Sequence, residues 1–158
     1  MNIIDLSNRR GAIVHMLPNV YDLLKKDGHD LPNIIIWTQS MKKAIIDINR
    51  KWIFATISSK DVQGMMFYRM GTDGKSLYID TLSGSPKTVE ALLKKFEQND
   101  LVKARENFFI SRYIKREEAD EVLETVGLQD DSVYDEEGYY MLGGLNEVIS
   151  ALKIRYLR

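Results

Sequence analysis

Residues 76–89 read Ser76-Leu77-Tyr78-Ile79-Asp80-Thr81-Leu82-Ser83-Gly84-Ser85-Pro86-Lys87-Thr88-Val89. Ser76 to Leu82 reads as a strand, and Ser83-Gly84-Ser85-Pro86 breaks it. Pro86 suits the first position of a helix, where its missing N–H and fixed φ cost nothing. A helix from Pro86 to Gln98 follows, with Val89, Leu92, Leu93 and Phe96 on one face. Asn107 to Ile114 is the next strand. A strand, a helix and a second strand in one sheet predict a right-handed parallel crossover.

Upstream, the pattern predicts two more strands, Trp52 to Ser58 and Val62 to Met70. Ser58-Ser59-Lys60-Asp61 is a polar turn. Gly71-Thr72-Asp73-Gly74 carries the Asp-Gly signal of a tight hairpin. With Ser76 to Leu82, these strands form an antiparallel meander, so the sheet is mixed. Two helices precede them. Ile13, Met16, Leu17, Val20, Tyr21 and Leu24 share one face of the first, and Pro18 predicts a kink there or a helix that starts at Pro18. The second spans about Asn33 to Ile48, with Trp37, Met41, Ala44, Ile45 and Ile48 in its stripe. Ile3 to Leu6 is a short strand. Downstream come a helix from Glu117 to Val126, a strand from Tyr139 to Leu142 and a last helix from Leu145 to Leu157. The fold class is α/β with a mixed sheet and helices on both faces.

The chain has 158 residues, 44% of them hydrophobic and 28% charged, which suits one globular domain over residues 1–158. There are no cysteines, so disulfides, thiol catalysis and thiolate metal sites are excluded. A net charge of −1 offers no basic footprint for nucleic acid. No apolar run reaches the ~20 residues of a membrane helix, and the first residues lack the pattern of a secretion signal. The expectation is a cytoplasmic protein with no nucleic-acid or membrane partner. His15 and His29 have no metal-ligand spacing, and no metal site is expected.

The order of elements resembles the GNAT superfamily of acetyl-CoA-dependent N-acetyltransferases, over roughly Met1 to Leu142. Trp52-Ile53-Phe54-Ala55-Thr56 and Val62-Gln63-Gly64-Met65-Met66-Phe67 look like its second and third strands. Leu77-Tyr78-Ile79-Asp80-Thr81-Leu82 looks like the fourth, Ala91-Leu92-Leu93 like the third helix, and Glu117 to Leu128 like the fourth helix and its end. Helix 145–157 lies outside the common pattern. The resemblance implies a fourth and a fifth strand that splay apart, with pantetheine paired to the fourth strand's backbone. It also implies pyrophosphate held by amides where the third helix begins. The family's glycine-rich loop is eroded here to Ser83-Gly84-Ser85-Pro86-Lys87-Thr88-Val89, and Leu123 stands where a helix-four tyrosine is usual. Tyr113 and Tyr134 are the candidates to replace that acid.

On this resemblance, acetyl-CoA is the cosubstrate and a small-molecule or peptide amine the acceptor. Leu82 and Gly84 would offer backbone groups to pantetheine, and Ser85, Lys87 and Thr88 would hold pyrophosphate. Asp80 would be the general base; the alternative is an acid on a half-solvated strand. Gly84 to Thr88 could equally be an ordinary βα turn. The acidic run Asp130, Asp131, Asp135, Glu136 and Glu137 reads as a solvated hairpin, and Tyr139, Tyr140 and Met141 as sheet core. The last helix packs back on the sheet or joins a homodimer. Three readings stand: an N-acetyltransferase, a non-catalytic GNAT-shaped binding or assembly module, and an unrelated α/β protein.

Overall fold

The computed structural model describes residues 1–58, 60–111, 114 and 135–157. The elements run β1 (Asn2–Asp5), α1 (Arg10–Lys26), α2 (Ile34–Ile45), β2 (Arg50–Ser58), β3 (Asp61–Met70), β4 (Ser76–Gly84), α3 (Pro86–Glu97), α4 (Asp100–Lys103), β5 (Asn107–Ser111), β6 (Tyr139–Gly143) and α5 (Leu145–Tyr156). The helix read at Glu117 to Val126 lies outside the described residues, as do Tyr113, Leu123, Tyr134, Asp130 and Asp131.

The six strands form one sheet in the order β1-β2-β3-β4-β5-β6. β1 to β4 are antiparallel to their neighbours, β4 and β5 are parallel, and β6 returns antiparallel to β5. The sheet is thus mixed, with helices on both faces. Ile13, Leu17, Val20 and Trp37 of α1 and α2 pack on Trp52, Phe54, Met65 and Phe67. The Trp52 and Phe67 rings stack with centroids 4.1 Å apart. On the other face, Val89, Leu92 and Phe96 of α3 and Val148 and Leu152 of α5 pack on Ile53, Met66, Ile79 and Ile110. The face of α5 therefore turns inward, as one of its two readings holds.

α1 begins at Arg10 and runs on through Pro18, which corrects the reading of a helix starting at that proline. All six predicted apolar residues are buried, so packing on both sides of Pro18 holds the helix where intrinsic propensity would weaken it. α2 is capped by Asn33, whose side chain accepts from the Ile35 N–H at 2.9 Å. It ends at Ile45, three residues short of the predicted Ile48, which is 75% exposed. The cause is Arg10. Its guanidinium donates to the carbonyls of Ile45 (2.6 Å), Asp47 (2.8 Å), Ile48 (3.3 Å) and Arg50 (3.0 Å). One fixed fork thereby satisfies the open end of a helix and steers the chain into β2.

The β3–β4 hairpin is tied by Asp73. Its carboxylate accepts from the Lys75 and Ser76 amides and from the Ser76 hydroxyl, and these bonds lower its pKa to about 2. β4 runs two residues beyond the predicted Leu82 because Ser83 and Gly84 still pair with Met65 and Gly64. Among the described residues β5 spans Asn107–Ser111, and Ile114, predicted to lie in the strand, is a turn residue. There the Ile114 N–H bonds back to the Ser111 carbonyl as a turn.

Truncating Arg10 to Ala leaves four carbonyls to find other partners. The expected cost is about 2 kcal/mol, by analogy with other charged hydrogen bonds. It is read as a lower urea midpoint, and an unchanged midpoint would show the fork to be idle.

Candidate active-site cleft at the β4 bulge

β4 departs from regular pairing at one place. Phe67 pairs with Thr81 and Tyr68 with Ile79, so Asp80 has no partner of its own on β3. It is the extra residue of a β-bulge. Ile79 and Leu82 both enter the core beneath α3 and α5, whereas Asp80 and Thr81 both line a cleft on the α1–α2 side. An unbroken strand would have alternated instead.

Asp80 is nearly buried, with 14% of its side chain exposed. The Tyr139 hydroxyl donates to its Oδ1, and Arg50 Nη1 lies 3.3 Å from its Oδ2. Burial pushes its pKa above the ordinary aspartate range, although the Tyr139 hydrogen bond and the nearby Arg50 and Arg69 charges favour the ionised form. Burial also raises the pKa of Tyr139, and the neighbouring Asp80 charge adds to the effect, so the phenol stays a donor. Arg69 sits 4.3 Å from the centre of the Tyr78 ring and 5.5 Å from that of Tyr139, and reaches Glu137 at 3.5 Å. The cleft beside Asp80 encloses about 380 Å³ and is lined by Leu24, Asp30, Trp37, Met65, Phe67 and Asp80, among others. It can seat a small ligand with an apolar body and a cationic end.

The bulge lies beside the parallel pair. Among the described residues, β4 and β5 are in register from Ser76–Asn107 to Ile79–Ile110. Leu82 lies past that point, and both its backbone groups are engaged. Its N–H reaches the Ile114 carbonyl at 3.5 Å, and its carbonyl accepts from the Tyr156 hydroxyl of α5 at 3.0 Å. The other residues nominated for acetyl-CoA are likewise committed within the fold. Gly84 has φ +139, and a Cβ there would come within 3.1–3.3 Å of Thr88, Gln63 and Gly64. The Ser85 hydroxyl caps α3, accepting from the Thr88 N–H at 3.3 Å and donating to Thr88 Oγ1 at 3.0 Å. Thr88 is buried, 5% exposed, with its own hydroxyl turned toward Met1. Pro86 has no N–H. Of the set, Lys87 alone offers an exposed group with no capping duty. These residues do not fit a pyrophosphate cradle or an open pantetheine edge.

Sequence reading found Asp80 but missed Arg50 as its ion-pair partner and read Tyr139 as core. Those contacts join residues 30 and 59 positions apart, and no local period reports them. Among the described residues, no group of His, Asp or Glu could hold a metal ion. None of the helices there is long and apolar enough to cross a membrane.

No family model matches the chain, and no curated protein matches it. Solved structures do. A probable acetyltransferase matches at TM-score 0.53 and 14% identity, over 86% of this chain and 95% of its own. Tetrahymena GCN5 matches at 0.48 and 14%, over 70% of each chain. An acetyltransferase assigned to the GNAT family from Desulfovibrio desulfuricans matches at 0.48 and 13%, over 69% of this chain and 71% of its own. At this identity the first match shows a shared fold. The meander, the parallel β4–β5 pair and the helices on both faces match the GNAT fold.

An acid whose pKa is higher in the folded state holds its proton more tightly there. Asp80 therefore favours folding below the ordinary aspartate pKa, and this contribution fades as pH rises through the folded value. Asp80→Asn removes the titration. Measured by urea unfolding, parent stability relative to the variant is expected to rise as pH falls from neutral toward the carboxylate range. A difference that stays flat or falls would mean that the Arg50 and Tyr139 contacts outweigh burial.

Proposed function

We propose that this chain is a GNAT-fold binding module that takes a primary amine in the Asp80 cleft and does not hold acetyl-CoA in the family's manner. The observation that carries this reading is the engaged backbone of Leu82. Pantetheine pairing would need those same two groups, and the eroded α3 entry offers little else to the diphosphate. The cleft is supported as the ligand site by a buried carboxylate fixed from two sides, with apolar walls at Trp37, Met65 and Phe67. Asp80 would meet the ammonium group, and the walls would cover the alkyl part.

A second reading is acetyl transfer from acetyl-CoA to a primary amine. What favours it is a buried acid of raised pKa on the bulge, next to the parallel pairing of β4 with β5. Acetyl-CoA would supply an activated acyl group as its thioester. Asp80 would then accept the amine's proton, directly or through a water, while Tyr139 and Arg50 hold its carboxylate in place.

Calorimetric titration separates the two. The module reading expects no saturable heat with millimolar acetyl-CoA, together with binding of a simple alkyl diamine that Asp80→Asn weakens by about tenfold, as for loss of one charged contact. Saturable micromolar binding of acetyl-CoA, with acetylation of the diamine, would overturn it in favour of transfer.

A further inference from the structure

α2 is apolar on the face turned away from the core as well as on the face turned toward it. Trp37 and Ile45 are buried against the sheet. Yet Ile34, Ile35 and Ile36 at its start, and Ile46 and Ile48 just past its end, are between 40% and 77% exposed. Nearly half of the exposed large hydrophobics among the described residues thus fall on this helix and the turn after it. Ile46 keeps helical dihedrals, φ −80 and ψ −11. At 3.6 residues per turn, Ile35, Lys42 and Ile46 therefore share one stripe, with Ile36 and Lys43 beside it. Ile35 and Ile46 stand about 16 Å apart along the axis. The far end is fixed, because the Arg10 fork holds the carbonyls of Ile45, Asp47 and Ile48. α2 carries no acidic residue, and Asp47 just beyond it is engaged by Arg50 at 3.4 Å. Lys42 and Lys43 are exposed, and among the described residues neither forms an ion pair.

We propose that this outer face of α2 docks on an anionic lipid surface. Ile35, Ile36 and Ile46 enter the boundary between headgroups and acyl chains, and Lys42 and Lys43 meet the negative headgroups. The lysine stems can lie along the apolar matter while their ammonium heads stay in water. A second copy of the chain is the poorer fit. A two-fold contact through this stripe sets Lys42 and Lys43 against their own copies, with no acid on the helix to answer them. Among the described residues no helix is long and apolar enough to cross a membrane, but lying on a surface needs no span. The inner face of the same helix lines the Asp80 cleft with Trp37 and Met41, so the lipid contact and the cleft are reached by different substitutions.

The experiment is flotation with vesicles of phosphatidylcholine alone and of phosphatidylcholine with phosphatidylserine in roughly equal parts. The parent is expected to float with the anionic vesicles about tenfold more tightly than with the neutral ones, a preference that shrinks as salt is raised. The double variant Lys42→Gln/Lys43→Gln is expected to lose about 30-fold in affinity for the anionic vesicles, as for two surface charges. Ile35→Ser/Ile46→Ser is expected to lose about tenfold or more through the apolar area no longer buried. Both pairs change exposed side chains, and cooperative thermal unfolding confirms that each variant is folded. The parent's choice between the two vesicles needs no variant and stands if one fails to fold. A parent that floats with neither vesicle, or equally with both, overturns the proposal. So does an isoleucine variant that floats as well as the parent, because charge alone would then suffice. Sedimentation equilibrium without lipid supplies the remaining outcome. A parent that does not float but forms a dimer lost in Ile35→Ser/Ile46→Ser assigns the face to a second copy, and the lipid surface is overturned.

Discussion

One extra residue in β4 governs how this sheet is used. A strand must alternate its side chains between faces, and a bulge breaks that rule once. Asp80 occupies the break. Before it, Leu77 and Ile79 face α3; after it, Leu82 faces α3 again, while Asp80 and Thr81 together face the cleft. The buried acid is the outcome of that one insertion. Tyr139 on the edge strand and Arg50 at the start of β2 then fix the acid from opposite sides.

The backbone of β4 beyond the bulge is engaged by the fold itself. Close packing at the start of α3 draws its turn onto β3. Gly64 has no room for a side chain, because a Cβ there would lie 2.5 Å from the Thr88 methyl and 2.8 Å from the Ser83 carbonyl. The βα turn is thus drawn tightly onto β3, and Ser85 spends its hydroxyl on capping. On the other side, α5 fills the space beneath Leu82 with Tyr156 and Leu152. An N-terminal helix turn can serve an anion only if its amides are free. Here proline removes one and Ser85 takes another.

How much of this was legible depended on the range of the interaction. The strands of the meander, the hairpin at Asp73, the helix at Pro86 and the apolar stripe of α1 followed from local period and turn chemistry, because each is decided by neighbours a few residues apart. The ends were less legible. Arg10 ended α2 early by reaching residues 35 to 40 positions away. Pairing with Gly64 carried β4 on to Gly84. Asp80 could be nominated from its strand, but its partners could not, since Arg50 and Tyr139 lie on separate strands.

The sequence by itself determined the antiparallel meander, the helix that starts at Pro86 and the parallel strand after it, because periodicity, turn residues and Pro86 are properties of adjacent residues. Only the tertiary structure decided that Leu82 is already partnered, that Thr88 is buried and that Asp80 sits on a bulge. Those facts depend on which distant atoms arrive at a given backbone group. Hydrogen bonds and packing across the sheet settle that question, and no local pattern encodes it.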